Sequence, residues 1–317
     1  GFILTSLGRL EAAIAACDAA IRLQPDFAQA QWNQAVAALL AGDFALGFSK
    51  YEWRKRHDRY RRDFIDLPGP QWDGSDAAGR TILVHAEQGF GDTIQFARYL
   101  PRIGGSVVLA CERPVVPLLA QLPGVDVVPK DAAFPAYDCW IDQMSLPRVF
   151  GTRLDTIPSA DGYLHAPACG ARLPEGLKVG LAWAGNPAHS NDRRRSMPAD
   201  ALRPVLAIPG ISFVSLQVGP RAAELPLLSL PLGDFAATAS LVAVLDLVIT
   251  VDTAVAHVAG ALGRPAWVML PYAPDWRWLL GRSDSPWYNS LRLFRQPTPG
   301  DWDTVTKAIA TELAKLA

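Results

Sequence analysis

The sequence predicts an α/β fold, with two Rossmann-like, doubly wound halves preceded by a short α-helical segment. Three observations carry this. Two apolar, β-branched runs, Ile82-Leu83-Val84-His85 and Leu247-Val248-Ile249-Thr250-Val251, each end in a turn that opens an amphipathic stretch. Runs of that kind read as buried parallel strands, and the stretches after them as helices. They lie 165 positions apart, 82 to 247, which leaves room for one half around each. Ahead of both, residues 1–56 are rich in alanine and place Gly42 34 residues after Gly8, a spacing typical of helical repeats.

Composition narrows the classes. The 317 residues are 50% hydrophobic and 19% charged, with a net charge of −1, as in an ordinary globular protein of two or three domains. No global positive field recruits nucleic acid. The longest apolar run, Ser240 to Val251, contains Asp246 and is too short for a membrane span. Cys17, Cys111, Cys139 and Cys169 are scattered, with no CxxC pair or metal-ligand spacing. They read as reduced thiols of a cytoplasmic protein. No signal peptide is visible, and the chain opens inside what reads as a repeat, so it is expected to be the later part of a longer array.

Within residues 1–56, Gly8, Ala13, Ala20 and Pro25 occupy the small-residue and helix-breaking positions of a tetratricopeptide repeat. Tyr51 follows Cys17 by 34 residues at a position that is usually aromatic, and Gly47 replaces the usual Ala. Small residues let antiparallel helices approach, and Pro ends the second one. Such repeats offer a concave peptide-binding face. With fewer than two full repeats, a helical cap packed on the α/β part is the preferred reading.

Trp53 to Arg62 holds six Lys or Arg in ten residues, with Trp53 and Tyr60 interleaved. Nucleic-acid binding and a solvated basic face with snorkelling side chains both fit, and the neutral remainder of the chain favours the second. Residues 57–79, with Pro68, Gly69, Pro70, Gly74 and Gly79, read as a linker.

From Arg80 the pattern alternates. Strands are expected at 81–85, 106–110, 125–128 and 139–141, with helices at 92–100 and 115–121, giving a first half over 80–174. A second half, 175–317, is expected to hold strands at 178–183, 212–217, 247–250 and 266–270. Its helices are expected at 198–206, 236–243 and 254–261, with a terminal helix at 304–316. Ligands bind such folds where strand ends meet helix N-termini, so a cleft between the two halves is expected to hold the site.

The turn His85-Ala86-Glu87-Gln88-Gly89-Phe90-Gly91-Asp92 and the later Asp252-Thr253-Ala254-Val255-Ala256-His257, with Gly263-Arg264-Pro265, together resemble glycosyltransferase family 9, the heptosyltransferase-like enzymes. More closely, the chain resembles bacterial proteins that fuse tetratricopeptide repeats to such a domain. The resemblance covers about Arg80 to Ala317 and implies a GT-B fold of two Rossmann-like lobes. It further implies transfer of a sugar, with inversion, from a nucleotide-diphospho-sugar to an acceptor hydroxyl.

By this resemblance Asp92 is the general base that takes the acceptor proton; a helix-capping Asp is the competing reading. Gly89 and Gly91 are expected to give a tight turn with positive φ. The third position of a GxGxxG pattern is Ile94, which argues against an NAD site. Glu87, Gln88 and His85 flank the turn and are expected to line the acceptor side. On the donor side, Asp252, Thr253, Ala254 and Val255 open a helix whose free N–H groups suit a diphosphate. The family implies a hydroxyl contact from Thr253, and Ala254 stands where Gly is common. His257 reads either as a ligand contact or as a satisfied buried histidine.

The loop Trp183 to Pro198, including Asn186 and Ser190, ends in Arg193-Arg194-Arg195. Arg195 aligns with the family's phosphate-holding cation, usually Lys, and would grip phosphate by a fork of donors. The aromatics of Pro271 to Trp278 and Asp284 to Tyr288 read as stacking groups or as core. Asp234 reads as a nucleotide contact or, more simply, a cap. Asp301-Trp302-Asp303 mimics a metal-binding DxD but precedes the terminal helix, so capping is expected, with no metal or cofactor required.

The donor is expected to be ADP- or UDP-linked. The acceptor is expected to be a glycan, lipid-glycan or protein, with a protein partner held by the repeats. Two rivals remain: a non-catalytic, repeat-based scaffold with a degenerate nucleotide-binding body, and a sugar epimerase of GT-B architecture.

Overall fold

The structure, a computed structural model, describes residues 1–57, 64–158 and 160–317. Residues 58–63, which hold part of the basic stretch and of the 57–79 segment, lie outside the described residues. The chain divides into two units, Gly1–Pro158 with Asp275–Gly281, and Ser159–Pro274 with Arg282–Ala317.

The first unit opens with helices α1 (Phe2–Ser6), α2 (Leu10–Leu23), α3 (Ala28–Ala41) and α4 (Phe44–Tyr51), then a 3-10 turn, Glu52–Arg56. Gly8 and Gly42 follow α1 and α3 with φ of +72° and +86°, the left-handed ending that glycine permits. α2 stops at Leu23, and Gln24 is extended because Pro25 follows it. A Cβ on Gly47 would lie 2.5 Å from Leu39 Cδ2, so α4 packs this closely on α3 only because that position is bare.

The sheet of this unit contains β1 (Thr81–His85), β2 (Ser106–Cys111), β3 (Val125–Pro129) and β4 (Cys139–Asp142). Its order is β3-β2-β1-β4, with every pairing parallel. β1 runs through the middle, and Ile82, Leu83 and Val84 are fully buried. Between the strands come α5 (Phe90–Phe96) and α6 (Val116–Leu119), and α7 (Leu146–Val149) follows β4. The helix expected at 92–100 starts earlier and gives way to a 3-10 turn at Ala97–Arg102. Pro101, which has no N–H for the carbonyl four residues back, accounts for the change.

The second unit holds β5 (Leu177–Ala182), α8 (Asp192–Arg195), α9 (Arg203–Leu206), β6 (Ile211–Ser215), β7 (Leu228–Ser229) and α10 (Phe235–Ala243). Then follow β8 (Leu247–Val251), α11 (Ala254–Ala261), β9 (Ala266–Leu270), β10 (Leu291–Arg295) and α12 (Trp302–Leu313). Its strand order, β10-β9-β8-β5-β6-β7, is parallel throughout. Counted from β5, this is the Rossmann order 3-2-1-4-5-6, and the first sheet has its first four positions.

The helix expected at 198–206 is divided, with a 3-10 turn at Ala199–Leu202 and then α9, because Pro204 sits at the junction. β7 and β10 were not expected: one is two residues long, and the other is an edge strand. α12 lays Trp302, Val305, Ile309 and Leu313 into the core that also holds Trp267 and Phe294, a three-and-four spacing that keeps one face apolar.

Candidate functional site

In each sheet the strand order reverses at one point, between β1 and β4 and between β5 and β8. The crevice beyond the carboxyl ends of such strands is where this architecture places ligands.

In the first unit that crevice is lined by Glu87, Asp142 and His85, and the N-terminal segment fills it. Arg54, expected on a solvated face, is instead fully buried. Its Nε and Nη2 donate to the two Glu87 carboxylate oxygens at 2.9 and 2.5 Å, and Nη2 also donates to Ser145 Oγ at 2.9 Å. The Met144 amide donates to Glu87 as well, at 3.2 Å. Burial works against the Arg54 charge, but Glu87 and Glu52 outweigh it and keep the guanidinium protonated. Lys55 pairs with Asp142 at 2.8 Å. Burial also opposes ionisation of Asp142; His85, Lys55 and Arg54 together outweigh it and hold this carboxyl below the usual range. Glu87, expected to line the acceptor side, therefore faces inward, with both oxygens engaged by the helical segment. Gln88 is half-buried, its side-chain amide 3.2 Å from the Tyr51 hydroxyl.

The turn itself differs from expectation in one respect. Neither Gly89 nor Gly91 has a positive φ; Gln88 takes the left-handed conformation, at φ +67°. Gly89 is extended, and its need is one of space. A Cβ there would meet Asp92 Oδ2 at 3.1 Å, and that oxygen accepts the Gly89 amide at 2.8 Å. The Asp92 side chain thus closes back on the start of α5, as a capping carboxylate does.

Its other oxygen, Oδ1, is held by Arg277 Nη2. Arg277 lies 185 residues along the chain, on a 3-10 turn, Trp276–Trp278, that packs within the first unit. Its Nη1 donates to Asp275 Oδ1 and its Nε to Gln95 Oε1, both at 2.7 Å. Each Asp92 oxygen keeps a second lone pair, and 20% of the side chain stays exposed. Burial pushes the Asp92 carboxyl above the usual carboxylate range, while Arg277 and the Gly89 amide act the other way.

In the second unit, the loop after β5 folds onto the end of β8. Arg195, the last residue of α8, donates from Nη1 to the Asp252 carbonyl at 3.0 Å, and its Nε lies 3.4 Å from Asp192 Oδ1. A Cβ on Gly185 would sit 2.5 Å from Arg195 Nη2, so the guanidinium lies directly on that glycine. Arg193 and Arg194 are exposed. Arg195 and the opening of α11 are therefore neighbours, at the point where the strand order reverses. Ala254 and Val255 start α11 and are half-buried. Thr253 stands at the N-cap, but its hydroxyl lies 3.2 Å from Thr250 Oγ1 and not on the helix amides.

His257 is buried, with Nδ1 2.9 Å from the Tyr288 hydroxyl. Gly260 lets that ring approach α11, since a Cβ there would be 2.4 Å from the Tyr288 ring. Asn186 is exposed and uses its side-chain oxygen on the Ala188 amide in a local turn, at 3.0 Å; Ser190 is exposed on the same loop.

The simpler readings hold for the caps: Asp234 accepts from the Ala237 amide at 2.8 Å and Asp301 from the Thr304 amide at 3.0 Å. Trp276, Trp278, Trp287 and Tyr288 are core residues. Among the described residues no group of three or more His, Cys, Asp or Glu is placed to hold a metal, and no helix is long and apolar enough to cross a membrane.

Sequence reasoning missed Arg277 and Arg54. The signal for both was a cation set among aromatics with an acidic residue two places before it, Glu52 for Arg54 and Asp275 for Arg277.

Residues 226–270, a stretch spanning β7 to β9, match the family model described as Glycosyltransferase family 9 (heptosyltransferase). Protein FlbA of Caulobacter vibrioides is 31% identical over 363 aligned positions, which take in 100% of this chain and 60% of FlbA. The chain thus spans 60% of that relative's length. Among solved structures, the ADP-heptose lps heptosyltransferase II of E. coli is similar at a TM-score of 0.50 and 16% identity, over 74% of this chain and 98% of that one. The glycosyl transferase family 9 protein of Veillonella parvula is similar at 0.50 and 12%, over 78% and 92%. TibC of enterotoxigenic E. coli, a dodecameric iron-containing heptosyltransferase in complex with ADP-D-beta-D-heptose, is similar at 0.50 and 14%, over 80% and 78%. At these identities the likeness to solved structures is one of fold. The segment that holds β8 and the opening of α11 carries the glycosyltransferase family 9 pattern, within an α/β fold of parallel sheets shared with heptosyltransferase structures.

Proposed function

We propose that the chain is an inverting glycosyltransferase that moves a sugar from a nucleotide-diphospho-sugar to an acceptor hydroxyl. The observation that carries this reading is Arg195 lying on the Asp252 carbonyl beside the N-terminus of α11; Asp252 and α11, though not Arg195, belong to the segment that matches glycosyltransferase family 9. A guanidinium and unpaired helix N–H groups beside one another suit a diphosphate. They also offset the charge that develops on it as leaving group, so no divalent cation is required. The similar E. coli enzyme named for ADP-heptose and the ADP-heptose complex of TibC favour an ADP-linked donor, with UDP the alternative. On the first unit Asp92 takes the proton of the acceptor hydroxyl, whose oxygen attacks the anomeric carbon opposite the departing diphosphate. The acceptor is a glycan, lipid-glycan or protein.

Residues 1–56 are helices of the tetratricopeptide type, a reading supported by the paired left-handed glycines 34 residues apart and the bare contact at Gly47. The protein works in the cytoplasm, where nucleotide sugars are made.

Thermal-shift measurements with ADP, UDP, GDP and CDP and their sugars test the donor site. A ligand at 100 times its dissociation constant stabilises by about 2.7 kcal/mol, and chelator should leave that shift intact. Arg195→Ala should abolish most of it. If no nucleotide stabilised the wild-type protein, the donor assignment would fail.

A further inference from the structure

Two consecutive residues of the Asp92 turn, Glu87 and Gln88, and the Trp276 ring beside the cation that holds Asp92 are all contacted by the N-terminal helical segment. Arg54 grips both oxygens of Glu87, the residue two places before Gly89. Tyr51 meets the Gln88 side chain at 3.2 Å, at the one strained position of the turn. Trp276, next to Arg277, is seated among Phe48 at 5.7 Å, Tyr51 at 5.9 Å and Phe44 at 6.3 Å between ring centroids, all edge-on. The Arg277 guanidinium lies 4.3 Å from the Trp276 ring centroid, so the seated indole fixes the height of that charge. Asp275 and Gln95 take two of its remaining faces, which leaves Nη2 aimed at Asp92.

We propose that the helical segment is the frame of the catalytic turn, and that Arg277, seated by it, is a positioning residue that favours the ionised Asp92 carboxylate and holds it in one orientation. This rests on the reading of Asp92 as the general base. It gives α3, α4 and the Arg54 turn a role inside the enzyme, separate from any partner the repeats hold. The groups that act on Asp92 are the Arg277 charge, the Gly89 amide and, in the opposite sense, the Asp275 carboxylate; Tyr51 in turn acts on Arg277.

The test reads the carboxylate itself. In full-length protein carrying 13C at aspartate Cγ, the Asp92 signal is assigned by its loss in Asp92→Asn and followed against pH. Removing an opposite charge at this distance should raise its midpoint by roughly 1–3 pH units. Arg277→Gln should show that rise, and Arg277→Lys should restore most of it. Phe48→Leu, which touches neither group and is mild enough to keep the fold, should move the midpoint in the same direction by loosening Trp276. An unmoved midpoint in Arg277→Gln would overturn the role of Arg277. Movement there but none in Phe48→Leu would overturn the role of the helices. Neither result depends on turnover, so the failure of the glycosyltransferase reading, seen as no nucleotide-sugar conversion by wild type, is a separate outcome.

Discussion

Gly89 shows how a single missing atom serves the site. Its backbone is extended, a conformation any residue adopts, so flexibility does not explain it. What matters is the 3.1 Å between a built Cβ and Asp92 Oδ2. Gly89→Ala should therefore push the carboxylate off its amide and lower kcat while costing little stability, roughly the 0.5–1.5 kcal/mol of one hydrogen bond. Comparing kcat with the urea midpoint separates the two effects.

The strand-to-turn junctions that lead to Asp92 and to the Asp252–His257 opening were legible in the sequence because each apolar run ends in its own turn; Asp92 itself lies in the first turn of α5. The conformation within the turn was not legible: Gln88, not a glycine, carries the positive φ, with its side chain 3.2 Å from the Tyr51 hydroxyl. His257 was open between two roles; the structure buries it with Nδ1 2.9 Å from the Tyr288 hydroxyl, 31 residues away. No local pattern encodes that partner.

At the level of elements, the strands of both sheets other than β7 and β10 were readable from apolar runs, and the ends of α11 and β9 fell where they were expected. The helices containing Pro101 and Pro204 were not continuous, for the reason proline always gives. The basic stretch was misread because burial of Arg54 depends on Glu87, 33 residues on. A carboxylate left alone in that crevice would be costly, so Arg54→Met should destabilise the protein by about 3–5 kcal/mol. Removing both charges, in Arg54→Met with Glu87→Leu, should recover much of the loss; equal destabilisation in single and double variants would contradict the pairing. Asp142 adds a pH signature. Its folded value lies below the ordinary one, so its contribution is complete above the unfolded value and is lost as pH falls through the folded value. The stability gap between wild type and Asp142→Asn should therefore close on acidification, as denaturant titrations at pH 7 and pH 3 would reveal.

On the scale of the whole molecule, the chain builds two Rossmann-like sheets and assigns a charged turn to each. The first carries a carboxylate set by helices that precede it, and the second a guanidinium at a helix opening. Arg277 shows why the allocation of chain to units escaped the sequence. The seven residues from Asp275 to Gly281 leave the second unit to serve the first, and no composition shift marks the excursion. The raised Asp92 value gives the account its pH dependence: the base works only when ionised, so activity should fall as pH drops through a midpoint above the ordinary carboxylate range. The most direct measurement is the rate of nucleotide diphosphate release from the nucleotide sugar that stabilises the protein, compared between wild type and Asp92→Asn. A fall of about 10²–10⁴-fold with the thermal shift retained is the predicted result; an unchanged rate in a folded, donor-binding Asp92→Asn would contradict the account.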